Sequence, residues 1–103
     1  MYVEKPPENE NPNKKILIVD DQEFNIKALI IILGISCRID TDKYCVKATS
    51  GDQAIAIVAD NIKENEGARC DFELILMDHH MPLKDGYETT QEIRSMMQDE
   101  HLL

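Results

Sequence analysis

Two short apolar runs, each ending abruptly in acid, constrain this chain more than anything else in it. "KILIVDD" carries Ile16 to Val19 straight into Asp20 and Asp21, and "FELILMDHH" carries Leu74 to Met77 straight into Asp78. A short continuous apolar run without alternation is the pattern of a strand buried on both faces, as in a parallel sheet. The segments around these runs read as helices and one further strand. In "EFNIKALIIILG", Phe24, Ala28 and Ile31 form one helical line and Ile26, Ile30 and Leu33 another, with Gly34 expected as the C-terminal cap. "KYCVKA" alternates, with Tyr44, Val46 and Ala48 on one side and Cys45 and Lys47 on the other; this is an edge strand, where Lys47 discourages stray pairing. "DQAIAIVADNIKEN" is amphipathic, with Ala54, Ile55, Val58 and Ile62 on one face. "DGYETTQEIRSMM" is a third helix, opened by Asp85 and Glu88 in capping-box spacing. Phe24, the isoleucines of the first helix, Met96 and Met97 are expected in the core. The order strand–helix–strand–helix–strand–helix predicts an α/β fold with parallel strands joined by right-handed crossovers.

Residues 1–13, "MYVEKPPENENPN", are rich in Pro, Glu and Asn without periodicity and read as a flexible tail or linker, so the folded part is expected over 14–103. With 103 residues in all, there is room for one domain. The formal net charge of -9 argues against nucleic acid or an anionic membrane surface as the main partner. No basic segment followed by an apolar core opens the sequence, so a secretory signal is not expected, and "ALIIIL" is far short of the ~20 apolar residues of a membrane span. Cys37, Cys45 and Cys70 lack metal or disulfide spacing and suit a reducing compartment, so a cytoplasmic location is expected.

Ligands of open parallel sheets bind outside the carboxyl ends of the strands. If the two apolar strands are neighbours, ~4.8 Å apart, Asp20, Asp21 and Asp78 converge there. Three close carboxylates repel one another, and a hard divalent cation relieves the repulsion. Magnesium fits such a set better than zinc or calcium, and it would also neutralise an incoming phosphoryl group. His79 and His80 are adjacent, point in different directions and lack a third partner at ligand spacing, so they do not read as a transition-metal site. Lys84 is expected to face solvent, Pro82 and Gly86 to shape the loop, and Asn25 either to reach the acidic mouth or to be merely exposed.

From Lys14 to about Met97 the sequence resembles the receiver domain of two-component response regulators. The matching pieces are "ILIVDD", "SGDQAIAIV" and above all "LILMDHHMPLKDG", with Met and Pro three and four residues after the acid and Asp-Gly at seven and eight. The resemblance implies a flavodoxin-like open parallel sheet, here its first three βα units in strand order 2-1-3. It implies that Asp78 is the phosphoryl acceptor and that Asp20, Asp21, Asp78 and the backbone carbonyl of His80 hold Mg2+. The donor would be a phosphohistidine on a histidine kinase or histidine phosphotransfer protein. The long loop before the third strand resembles receivers of eukaryotic hybrid kinases.

The family normally has five βα units, and this chain is expected to be C-terminally truncated after the third. A Ser or Thr on the fourth strand and a Lys on the fifth, which contact the phosphoryl group in the family, have no counterpart here; neither Lys84 nor Lys43 has the spacing to replace the lysine. In the family strand order the third strand is left as an apolar edge, so self-association through it is expected. Two functions follow: a phosphoacceptor receiver, or a non-catalytic receiver-like module that binds a kinase or regulator without stable phosphorylation. In neither is an independent enzyme expected, beyond self-phosphorylation and dephosphorylation chemistry. An aspartyl hydrolase of the haloacid-dehalogenase type is not expected, because Gln22, not an acid, stands two residues after Asp20; nor is a nucleotide-binding enzyme, because no glycine-rich nucleotide motif is present.

Overall fold

The computed structural model describes residues 15–103. The tail or linker expected over 1–13, and Lys14 at the expected domain start, lie outside the described residues. Among the described residues the elements are β1 (Ile16–Val19), α1 (Glu23–Ile35), α2 (Thr41–Tyr44), β2 (Cys45–Ala48), α3 (Gly51–Glu64), β3 (Leu74–Met77) and α4 (Gly86–Asp99). The strands are parallel in the order β2-β1-β3, an open α/β sheet of flavodoxin type, as expected. β1 lies in the middle. Ile16 pairs with Cys45 on one side and Leu74 on the other, and Val19 pairs with Ala48 and Met77. The carboxyl ends are therefore level, and the ladder continues one residue past them: Asp20 N–H donates to the Ala48 carbonyl at 3.1 Å and Asp78 N–H to the Val19 carbonyl at 2.8 Å.

Alternation along β1 divides the core into two layers. Leu17 and Val19 pack with Ala48, Ala54, Val58, Ile62, Phe72, Met81 and Ile93 beneath α3 and α4. Ile16 and Ile18 point the other way and pack with Ile26, flanked by Leu29, Ile30 and Leu33 of α1. Each fully buried aliphatic side chain of this kind contributes about 1.5–3 kcal/mol. Side chains set where α3 and α4 start. The Ser50 hydroxyl accepts Gln53 N–H at 3.1 Å, and the Asp85 carboxylate accepts Glu88 N–H at 2.9 Å.

Three expectations are corrected. Of the two apolar lines on α1, only the one through Ile26, Ile30 and Leu33 meets the sheet; Phe24 is 80 % exposed, and Ile31, Ile32 and Ile35 are also exposed. Among the described residues, α1 is the one helix packed on its face of the sheet, so nothing covers its outer side. Gly34 does not cap the helix. α1 runs through it to Ile35, Ser36 N–H bonds the Ile32 carbonyl at 2.8 Å, and the left-handed residue that turns the chain is Arg38, at φ 55. Finally, Lys43 and Tyr44 belong to the short α2 rather than to a strand. Asp40 caps that turn by accepting Lys43 N–H at 3.3 Å, so β2 begins at Cys45.

The loop from α3 to β3 is fixed by a polar network that no spacing rule suggests. Asn61 and Asp71 are both buried. Asp71 N–H donates to the Asn61 side-chain oxygen at 2.7 Å, and the Asp71 carboxylate accepts from Asn61 at 3.0 Å, Asn65 at 3.1 Å and Arg69 Nε at 3.1 Å. Several donors satisfy this buried carboxylate, and the network closes the connection that delivers β3 to its place beside β1.

Candidate functional site

β1 and β3 end side by side, and an acid follows each. Asp20 sits where the buried β1 reaches the surface, and it is only 7 % exposed. Its Oδ1 accepts the Gln22 N–H at 2.9 Å and the Asn25 side-chain amide at 3.4 Å. These contacts fold the backbone from the strand into α1, whose own first position, Gln22, has no side-chain cap. Asn25 thus does reach the acidic mouth. Asp21 and Asp78 are half-buried. The Asp78 Oδ1 accepts the His80 N–H at 3.3 Å, which bends the chain away from the sheet directly after the strand.

Each of Asp20, Asp21 and Asp78 offers a carboxylate oxygen, and these oxygens all lie within 4.8 Å of one another. At that spacing each charged pair repels by on the order of 3 kcal/mol at an effective dielectric of about 20. The described residues place no lysine or arginine in this group. A donor set of three carboxylates, hard and all-oxygen, one of them buried and fixed, fits a small divalent cation rather than a soft one. The imidazoles of His79 and His80 stay outside it. Both are exposed, and their rings meet edge to face with centroids 4.9 Å apart.

The loop from Asp78 to Gly86 is closed at its base. Gly86 N–H donates to the His79 carbonyl at 3.1 Å. A side-chain carbon at Gly86 would collide with the Asp78 carbonyl oxygen and approach His79 Cα to 2.9 Å, so only glycine permits this backing of the acid. Met81 is buried and pins the middle of the loop to the core. Lys84 corrects the sequence expectation. Instead of reaching into solvent, its ammonium bonds Glu92 at 2.6 Å and Asp52 at 3.1 Å, which lie on two different helices. Its partners are eight and thirty-two positions away, so no local pattern could have revealed them.

No family model matches the chain. Among curated proteins it is similar to hybrid signal transduction histidine kinase A of Dictyostelium discoideum, 40% identical over 83 residues that cover 80% of this chain and 3% of the kinase. It is also similar to the two-component response regulator ORR41 of Oryza sativa subsp. japonica, 32% identical over 85 residues, covering 80% of this chain and 57% of the regulator. Among solved structures it superposes on the receiver domain of the histidine kinase CKI1 from Arabidopsis thaliana, complexed with Mg2+ and BeF3-. The TM-score is 0.71 at 27% identity, over 86% of this chain and 60% of that one. The same domain complexed with Mg2+ alone gives 0.67 at 25% identity, over 87% and 64%. The chain thus spans a small part of the hybrid kinase, and under two thirds of the regulator and of these solved domains.

Proposed function

The chain belongs to the receiver-domain family of two-component signalling, and from that premise we propose that Asp78 accepts a phosphoryl group from a phosphohistidine. The donor would be a histidine kinase or histidine phosphotransfer protein in the cytoplasm. Asp20, Asp21, Asp78 and the backbone carbonyl of His80 would hold Mg2+ beside the acceptor. The observation that carries the reading is the register: Val19 opposite Met77 sets the acids at one level, with their oxygens within 4.8 Å of one another. The Mg2+ in the similar CKI1 receiver domain supports the choice of ion. When bound, the ion supplies positive charge against the three carboxylates and the incoming phosphoryl oxygens.

The chain's own part is positioning. An Asp78 carboxylate oxygen attacks phosphorus in line. The new O–P bond forms as the N–P bond of the donor imidazole breaks, and the ring nitrogen keeps the electron pair and takes up a proton. Asp20 is immobilised by Gln22 and by burial, so it contributes fixed charge at no reorganisation cost. Gly86 backs the Asp78 carbonyl and keeps the acceptor from turning away from its neighbours.

Lys84 favours keeping the second reading, an interaction module that binds a kinase or regulator without stable phosphorylation. The lysine nearest in sequence to the acceptor is committed to Asp52 and Glu92. Incubation with acetyl phosphate and Mg2+, followed by mass spectrometry, separates the two. A phosphoryl adduct on the wild type that is absent from Asp78→Asn supports the acceptor. No adduct, with kinase binding retained, supports the module. The outer edge of β3 is the surface through which the chain would self-associate. Leu74 is 45 % exposed there, and an open groove of about 580 Å³ lined by Phe72, Ile75, Met77, Ile93 and Met97 runs alongside.

A further inference from the structure

We infer that Lys84 is a positioning residue: by bridging Asp52 on α3 and Glu92 on α4 it fixes the loop that carries the acceptor Asp78. The inference rests on the phosphoacceptor reading for its functional part and on geometry alone for its structural part. Three observations support it.

The loop contains a strained turn. Lys84 N–H donates to the Pro82 carbonyl at 2.8 Å, a bond across one residue, and the residue spanned, Leu83, has φ 67. A γ-turn with positive central φ is rare and costly for a residue with a side chain. Leu83 gains nothing from packing to offset this, since its side chain is fully exposed. Something else must hold the turn, and the residue that closes it is Lys84.

Lys84 is tied down at both ends. Its backbone carbonyl and Cγ lie against Gly51 at the start of α3, where an added side-chain carbon would stand 3.2 Å from each. Its Nζ then reaches Asp52 at 3.1 Å and Glu92 at 2.6 Å. These bonds, Glu92 first, raise the lysine's pKa, so it stays charged throughout the neutral range. A single exposed ion pair contributes little. Here one ammonium at the surface joins two helices to a loop, and the stem of the same side chain packs on Gly51.

The loop is continuous with the site. Two residues beyond Lys84, Gly86 abuts the Asp78 carbonyl and bonds the His79 carbonyl, and at the other end Asp78 Oδ1 accepts the His80 N–H. A shift of the turn is therefore passed to the acceptor from both sides.

The test uses the full chain as wild type, Lys84→Met, Lys84→Arg and the Asp52→Asn/Glu92→Gln double variant. Methionine keeps the stem that packs on Gly51 and removes only the charge. Amide hydrogen exchange of the 79–86 segment is measured together with the initial rate of Asp78 labelling by acetyl phosphate at saturating Mg2+. Lys84→Met and the double variant are expected to speed exchange in 79–86 roughly five- to tenfold while β1 and the middle of α3 stay unchanged. Both are expected to slow labelling several-fold. Lys84→Arg restores most of both effects, and combining Lys84→Met with the double variant adds no further change. Unchanged exchange in Lys84→Met, exchange raised evenly over the whole domain, or raised loop exchange with an unchanged labelling rate would each overturn the inference. If the wild type is not labelled at Asp78, the acceptor reading fails instead, and the exchange comparison still decides whether Lys84 fixes the loop.

Discussion

β1 and β3 look alike in sequence and differ in the fold. Each is a four-residue apolar run followed by acid. β1 is flanked by strands on both edges and helices on both faces, and all four of its residues are buried. Among the described residues β3 has a strand on one edge only; Leu74 is exposed and Ile75, Leu76 and Met77 are half-buried. An apolar run states what a segment is able to bury. How much it does bury depends on its neighbours. The acids divide the same way: Asp20, after the enclosed strand, is buried, and Asp78, after the open one, is half-buried.

This contrast is open to direct attack, most sharply by truncation. Leu17→Ala empties a fully buried position and is expected to cost about 3–5 kcal/mol, whereas Leu74→Ala on β3 is expected to cost less than about 1 kcal/mol. Urea unfolding of the two variants measures the difference, and equal costs would show that β3 is as enclosed as β1. The free edge supplies the next largest effect. If copies pair through β3, Leu74→Lys shifts the chain from dimer to monomer in size-exclusion chromatography with light scattering, because a charge on an open edge opposes pairing. A wild type that is already monomeric at high concentration removes this surface from the account.

A smaller effect separates the two strand tips. Without divalent ions, Asp78→Asn removes one of three repelling charges and is expected to stabilise the fold by roughly 1 kcal/mol. Asp20→Asn also relieves repulsion but weakens the bond from Gln22 N–H that starts α1, so its gain is expected to be smaller. Denaturation in chelator compares them, and the reverse order would contradict the division of roles.

The smallest effect is at the cysteines. Burial raises the thiol pKa of Cys70, so the folded state holds that proton more tightly than the unfolded chain, whose thiols ionise near 9.0. Its contribution to stability is complete below that pH and is lost as pH rises through the folded value. A Cys70→Ser variant is therefore expected to lose less stability between pH 8 and pH 10 than the wild type.

The sequence made the strands, their parallel direction, the amphipathic α3, the capped start of α4 and the acids at the strand ends legible, because each of these rests on short-range pattern or on the alternation of elements; the strand order came from the family resemblance. It misjudged whatever depends on which neighbours are present. Phe24, Ile31 and Ile35 have core character and helical spacing, yet they face outward because no other element among the described residues packs on that side of α1. Gly34 looks like a cap, but the helix runs through it to Ile35, and the chain turns farther on, at Arg38. Lys84, Asp52 and Glu92, like Asn61 and Asp71, are separated in sequence and meet only in the folded chain. Polar pairs of that kind leave no periodic trace.

The claim on which the rest depends is that the tips of β1 and β3 together form one divalent-cation site. It is tested most directly by titrating the chain with Mn2+, a paramagnetic stand-in for Mg2+, and following the backbone amide resonances. One equivalent is predicted to broaden the amides around residues 20, 21 and 78 first, with excess Mg2+ reversing the effect and Asp20→Asn or Asp78→Asn abolishing it. Broadening spread over the surface acids of α3 and α4, with no saturable component at the strand tips, would contradict the account.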